Sequence, residues 1–347
     1  MLYLILFLFL FFLSLLEIQH KKLPSWAYYF VIIFLIAIAA FRLDTGTDYA
    51  AYLKLWTNVP PFTELISKHF RYAELEVGFV LMMSLLKQLA GASVLFWGAC
   101  ASLFFFPFSW GIRKLALPYV FVALLVYLMS FYIPYAFNGM RQAIAMSIFI
   151  VSVPFILQRN NLMVIALSLL ATSFHLSGLL ILCAYLVQFY RGNLIPVMLI
   201  GGASAVVLSQ LNVLSFVLFD VIGISKVYVQ KFTESTSLFK LATRTLLLLA
   251  FFYFYQRGSE AYKKVFTMYL LGFFIYVGLA EYNVLATRFN MFFRVLEVIM
   301  LPLLLANITQ LKQRVLCLLL FLIPYGYSFY TSAMHPDNWY QFLFAAN

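Results

Sequence analysis

The chain has 347 residues, 65% of them hydrophobic and 10% charged, with a formal charge of +11 and a mean hydropathy of +0.97, where a soluble domain carries roughly 25% charged residues. No water-soluble fold hides that much apolar surface, and apolar runs that are continuous rather than alternating exclude an outer-membrane barrel. The 23 Lys and Arg are scattered between apolar runs, never in a block, so they read as topology signals and anion ligands rather than as a nucleic-acid footprint.

The expected fold class is all-α: one polytopic integral membrane domain over residues 1–347, with about 12 transmembrane helices at ~20 residues per crossing. Cys100, Cys183 and Cys317 sit inside apolar segments without Cys-x-x-Cys spacing, which supports neither a disulfide framework nor a metal site.

The N-terminus opens directly into an apolar run from Leu2 to Leu16, with no basic n-region or cleavage site, and reads as a retained first span. A second run covers 26–41, and Lys21 and Lys22 place the connection before it in the cytoplasm. Residues 42–76 are then an external loop. Arg113 and Lys114, Arg159, Arg191, the set Arg257, Lys263 and Lys264, and Lys312 with Arg314 occupy alternate connections and also read as cytoplasmic. These sets agree with the first loop only if one segment between Arg42 and Arg113 fails to cross.

Residues 77–86 are the candidate, too short at ~1.5 Å per residue for a hydrocarbon core of ~30 Å. They are expected to dip in and return as a re-entrant helix, which is tolerated only beside protein or a wet cavity. After spans at 92–112, 115–134 and 139–157, residues 162–190 form a hairpin whose turn, Phe174-His175-Leu176-Ser177, stops short of the outer surface, since each arm is only about 22 Å long. A span at 194–212, an external interfacial segment at 213–238, and spans at 239–255, 265–283, 287–306 and 315–330 complete the chain, with the C-terminal tail outside.

This topology collects an unusual set of residues on the external side: Arg42, Asp44, Asp48, Tyr49 and Tyr52, then Glu74 and Glu76, Arg141 and Gln142, His175 and Ser177, and Arg288 and Arg294. Several have ordinary structural readings. Arg42 sits where a long side chain snorkels from a helix end, Asp44 and Asp48 suit turn and N-cap positions around Gly46, and Arg294 can pair with Glu297 three residues on. Convergence on one side goes beyond those readings. Guanidinium forks match phosphate oxygens in bidentate geometry, so clustered membrane arginines point to a phosphorylated lipid, and the neighbouring carboxylates and tyrosines to sugar hydroxyls.

The same residues carry a resemblance. Arg42-x-Asp44-x-Gly46-Thr47-Asp48-Tyr49-x-x-Tyr52, Glu76-x-Gly78-Phe79, Arg141-Gln142-x-Ile144-Ala145, Phe174-His175-x-Ser177, Lys226-x-Tyr228, and Arg288 before a span ending in Pro302 resemble, in order and spacing, the EpsG and Wzy-type polymerases of bacterial exopolysaccharide, capsule and O-antigen. Where the family pattern has Glu-Pro-Gly or similar, this chain has Glu74-Leu75-Glu76-Val77, so either glutamate answers the motif. The resemblance implies a GT-C-like, all-helical glycosyltransferase of the bacterial inner membrane. It would join undecaprenyl-diphosphate-linked oligosaccharides, as donor and acceptor, on the periplasmic or outer side, without cofactor, metal or nucleotide sugar.

In that reaction a hydroxyl of one lipid-linked oligosaccharide attacks the anomeric carbon of another and undecaprenyl diphosphate departs. Arg141 and Arg288, with Arg42 or Arg294, are the expected diphosphate ligands. His175, Asp44, Asp48 and Glu76 are the candidate bases, with His175 ahead because its turn is sunk below the surface. Tyr49, Tyr52, Gln142, Ser177 and Tyr228 are the expected sugar contacts. Partners beyond substrate are membrane lipids and, by family analogy, a chain-length regulator. Two rivals use the same donor chemistry: a transporter or flippase of lipid-linked oligosaccharide, disfavoured by the absence of an evident internal repeat, and an O-antigen ligase.

Overall fold

The computed structural model describes residues 1–19, 23–89, 91–210 and 236–345. Lys21 and Lys22, Lys226, Tyr228 and the 213–235 part of the interfacial segment lie outside the described residues. In chain order the helices are α1 (Leu2–Ile18), α2 (Ser25–Ala40), α3 (Tyr49–Asn58), α4 (Phe62–Ser67), α5 (Val77–Leu89), α6 (Ser93–Lys114), α7 (Val120–Tyr127), α8 (Met140–Leu157), α9 (Asn161–Phe174), α10 (Leu180–Val187), α11 (Leu194–Gln210), α12 (Leu238–Tyr253), α13 (Glu260–Gly278), α14 (Asn283–Arg294), α15 (Glu297–Ala306) and α16 (Leu311–Met334). A π-helix, Leu128–Asn138, prolongs α7. The all-helical expectation holds for the described residues except for two short strands, β1 (Arg42–Leu43) and β2 (Gln341–Phe342), which pair antiparallel with Arg42 opposite Phe342 and Leu43 opposite Gln341.

Four helical stretches are long and apolar enough to cross a membrane, Ser93–Lys114, Val120–Asn138, Met140–Leu157 and Leu311–Met334, with a fifth where α14 and α15 meet at a 42° bend. Further apolar helices are shorter, α1, α2, α5, α9 and α11 among them. Their outward faces are apolar: α16 exposes Leu316, Leu319, Leu320 and Ile323, and α1 exposes Leu4, Ile5, Leu8 and Phe12. Helices that turn such residues outward fit a lipid environment, where every backbone polar group is satisfied within the helix.

The chain divides into two compact units, Met1–Leu182 with Leu301–Asn347, and Cys183–Met300. In the first unit several rods run between two ends, which can be called the Arg42 end and the Glu17 end. The α1 helix runs from Tyr3, whose hydroxyl donates to the Asn338 carbonyl at 2.7 Å, to Ile18, whose carbonyl accepts from Arg314 Nη1 at 3.0 Å. At that second end the Glu17 carboxylate accepts from the backbone N–H groups of Val120 at 2.8 Å and Phe121 at 2.9 Å. It thereby satisfies donors that open α7 and have no partner within the helix. Asn138, at the far end of the π-helix, lies back at the Arg42 end, where its Oδ1 accepts from Asp48 N at 3.3 Å.

The path between α2 and α6 is decided by four contacts. The guanidinium of Arg113, at the end of α6, lies 5.0 Å from the Tyr29 ring near the start of α2. Arg42, just past α2, lies 4.4 Å from the ring of Trp97 near the start of α6. The chain therefore leaves α2 and enters α6 at the same end. Lys87 Nζ on α5 donates to the Thr57 carbonyl at 2.5 Å and Trp56 stacks on Phe96 at 5.1 Å, so α3, α4 and α5 stay together at that end. At 13 residues, α5 is about 20 Å long.

In the second unit α12 packs on α13, and α13 packs on both α11 and α14. Gly272 is where α13 and α14 touch: a Cβ there would clash with the Phe293 side chain.

Candidate functional site

The site grows out of the loop that follows α2. Gly46 adopts φ +111°, a region open to glycine and costly for other residues. A Cβ there would lie 2.7 Å from Asn138 Oδ1 and 3.0 Å from the Phe137 carbonyl. The tight passage lets Asp48 stand at the N-cap of α3, although its side chain makes no capping hydrogen bond. Asp44, at φ 41°, is exposed at the turn. One helical turn past Asp48, the buried Tyr52 hydroxyl lies within electrostatic reach of Asp48 and beside the Arg141 guanidinium. Burial pushes this hydroxyl up, so it stays protonated.

Arg141 is the second residue of α8, and its Nη1 donates to Glu76 Oε2 at 2.5 Å. Both side chains are about a quarter exposed, 28% and 22%. The Nε of Arg141 is buried and has no hydrogen-bond partner among the described residues, which leaves part of the fork unused. Glu76 therefore separates from Glu74, which is exposed at φ 55°.

The His175 turn is brought to the same region by close helix packing. Gly78, two residues past Glu76, sits against Ser173, where a Cβ would lie 2.8 Å from the Ser173 carbonyl. The α9 helix ends at Phe174, His175 is extended, and Leu176–Leu179 form a 3-10 turn, as the hairpin expectation has it. His175 Nδ1 lies 2.8 Å from Ser177 Oγ and accepts from Ser177 N at 3.2 Å. That nitrogen is committed to holding the turn.

Other expected ligands are placed differently. Arg42 is 1% exposed, enclosed between the rings of Trp97 and Phe137 at 4.4 and 5.1 Å, and donates to the Ala136 carbonyl at 2.7 Å. Burial pushes it down to about 10, which leaves it charged at neutral pH. In this setting it braces the turn before α8. Tyr49 is buried and stacks on Trp97 at 4.9 Å, and Gln142 is also buried. Among the described residues no three His, Cys, Asp or Glu side chains converge in a way that could hold a metal ion.

The second unit holds its own basic constellation. Arg294 Nε donates to Glu297 Oε1 at 3.0 Å and Nη2 to Oε2 at 3.3 Å, and the Tyr269 hydroxyl donates to the same carboxylate at 3.0 Å. Arg294 and Glu297 are 1% and 0% exposed, so that arginine is used in a buried fork. Arg288 is exposed on α14. Sequence reasoning passed over Arg244, an arginine in the apolar run 239–255, and its presence there was the available signal. It is partly buried on α12, lies within electrostatic reach of Arg294, Glu297, Tyr269 and Tyr276, and makes no hydrogen bond or ion pair among the described residues. Two arginines facing one glutamate leave a net positive charge.

The model of the EpsG family matches residues 25–344, nearly the whole chain. The chain belongs to the EpsG family, which is related to Wzy-type polymerases, and its function is of the polysaccharide-polymerase type. Among curated proteins and solved structures none matches the chain.

Proposed function

We propose that this protein polymerises undecaprenyl-diphosphate-linked oligosaccharide repeat units on the outer side of the bacterial cytoplasmic membrane, as a GT-C-like glycosyltransferase of about 12 spans with α5 as a re-entrant helix. The Arg42 end faces outward in this reading and the Glu17 end, with Arg113, Arg159 and Arg314, faces the cytoplasm. The observation that carries it is the half-buried Arg141–Glu76 pair with Tyr52 beside it and Asp48 within electrostatic reach of Tyr52. An arginine with an unused donor, near an aspartate whose side chain makes no capping hydrogen bond, is what a diphosphate leaving group and a sugar hydroxyl require together.

The acceptor oxygen forms a bond to the anomeric carbon as the bond from that carbon to the diphosphate oxygen breaks, and the departing diphosphate takes the electron pair. Arg141 stabilises the charge that grows on it through an oriented fork. Asp48 takes the hydroxyl proton. It ranks above Glu76, which is paired with Arg141, and above His175, whose Nδ1 is held by Ser177. Tyr52 and Ser177 orient sugar hydroxyls, and in the second unit, taken by itself, Arg244 and Arg288 supply positive charge for an anionic lipid headgroup. Oligosaccharide donor, oligosaccharide acceptor and membrane lipids are the partners.

The test is the lipid-linked product of a deletion strain. Single repeat units accumulating on the carrier in the outer leaflet support the polymerase. Accumulation confined to the cytoplasmic leaflet points to a flippase, and polymer on the carrier that fails to reach lipid A core points to a ligase.

A further inference from the structure

The amide of Asn138 uses its whole hydrogen-bonding capacity on three separate segments. Its Oδ1 accepts from Thr47 Oγ1 at 3.1 Å and from Asp48 N at 3.3 Å, and its Nδ2 donates to the Ile133 carbonyl at 3.2 Å and to Asn338 Oδ1 at 3.4 Å. An asparagine side chain has two donors and two lone pairs, so none is left for a substrate. Asn138 closes the π-helix three residues before Arg141, and Asp48 opens the helix that carries Tyr52. The partner on the third side is the tail after α16. Asn338 is buried, accepts at its carbonyl from Tyr3 and donates from Nδ2 to the Ser332 carbonyl at 2.8 Å.

The tail grips the same loop through its backbone. Gly46 N donates to the Asp337 carbonyl at 2.6 Å, Leu343 N to the Phe41 carbonyl at 2.9 Å, and Gln341 N to Thr45 Oγ1 at 3.0 Å, beside the β1–β2 pair. We infer that Asn138 is a positioning residue: with the tail from His335 to Leu343 it clamps the Asp48 loop in register with α8, the helix whose second residue is Arg141. A side-chain amide does not ionise near neutral pH and so is no general acid or base; its role is to fix the spacing between Asp48 and Arg141. The positioning half of this inference rests on the polymerase reading, whereas the clamp itself does not.

A disulfide reads the clamp directly. In a variant lacking Cys100, Cys183 and Cys317, Leu43→Cys with Gln341→Cys places cysteines at a directly opposed antiparallel pair, whose Cα atoms lie ~4.5–5.5 Å apart, within the range a disulfide spans. Oxidation in membranes is timed with and without Asn138→Ala, and polymer formed from lipid-linked repeat units is measured on the same samples at matched protein levels. Asn338→Ala, which removes only the tail's side of the contact, is the second variant.

Asn338→Ala, which loses two side-chain hydrogen bonds, should slow crosslinking roughly tenfold, and Asn138→Ala, which loses four, at least as much. Asn138→Ala should lower the polymer-forming rate to a similar degree, mainly in kcat, and the preformed disulfide should restore most of it, as a lost chemical group would not allow. Crosslinking at the unaltered rate in both variants overturns the clamp. Slowed crosslinking with an unaltered polymer rate overturns the positioning role. If the parent protein makes no polymer, the polymerase reading fails and the clamp is judged on the crosslinking alone.

Discussion

Arg141 and Glu76 meet through Nη1 and Oε2 at 2.5 Å although 65 residues separate them in the chain. The contact joins the start of α8 to the residue just before α5, and it leaves Arg141 Nε unused. Arg141→Lys keeps the charge and loses the fork. Polymer formation in membranes should fall by about 10²-fold, the usual loss when one preorganised donor to a developing anion is removed. Glu76→Gln, which keeps an oxygen facing the guanidinium, should cost less, roughly tenfold. Activity of Arg141→Lys within twofold of the parent at equal protein level would remove Arg141 from the diphosphate site.

Arg294 and Arg244 of the second unit should behave oppositely. Glu297→Ala strands Arg294 in an apolar interior, and breaking such a pair typically costs about 3–5 kcal/mol. The thermal midpoint in detergent should fall sharply. Arg244→Gln breaks no hydrogen bond or ion pair among the described residues, so the midpoint should hardly move while the polymer-forming rate drops about tenfold or more. An Arg244→Gln protein with unaltered rate would confine Arg244 to a structural role.

Glu17 gives a purely structural prediction far from Arg141. Its carboxylate caps the N-terminus of α7, so Glu17→Ala should destabilise by about 1–2 kcal/mol. Glu17→Gln, which retains an accepting oxygen, should cost less. Activity per folded molecule should be unaltered in both, checked by thermal melting alongside a rate normalised to folded protein.

The path from α2 to α6 predicts a labelling pattern. In a cysteine-free background, single cysteines at Lys54 and Gly91 should react with an impermeant maleimide from the same side of the membrane in whole cells, and one at Arg113 only after permeabilisation. Labelling of Arg113→Cys and Lys54→Cys from the same side would mean that α5 crosses.

The hairpin turn at His175, the shortness of α5 and the Arg294–Glu297 pair were legible in the sequence because each follows from local spacing: the length of an apolar run, or charges three residues apart on one helix. Arg141 and Glu76 were singled out as members of one external set, but that they bond to each other depends on α5 packing against α9, which periodicity does not encode. Arg42 looked like a ligand because a charge at a helix end is conspicuous. Its burial between Trp97 and Phe137 requires two aromatic residues 55 and 95 positions later in the chain. The tail was the least legible part. Strands of two residues leave no alternating pattern, and the bonds from Asp337 and Asn338 to Gly46 and Asn138 are long-range polar contacts without a sequence signal.

The purified protein in liposomes, given defined lipid-linked repeat units and no other enzyme, shows whether this chain alone joins them. A ladder of lipid-linked oligomers is expected, each longer by one repeat, with free undecaprenyl diphosphate released in step. Asp48→Asn, folded and inserted like the parent, should make that ladder about 10²-fold more slowly or worse, as loss of a general base does. Repeat units left unjoined by the parent protein, or a ladder made equally well by Asp48→Asn and Arg141→Lys, would contradict the polymerase reading.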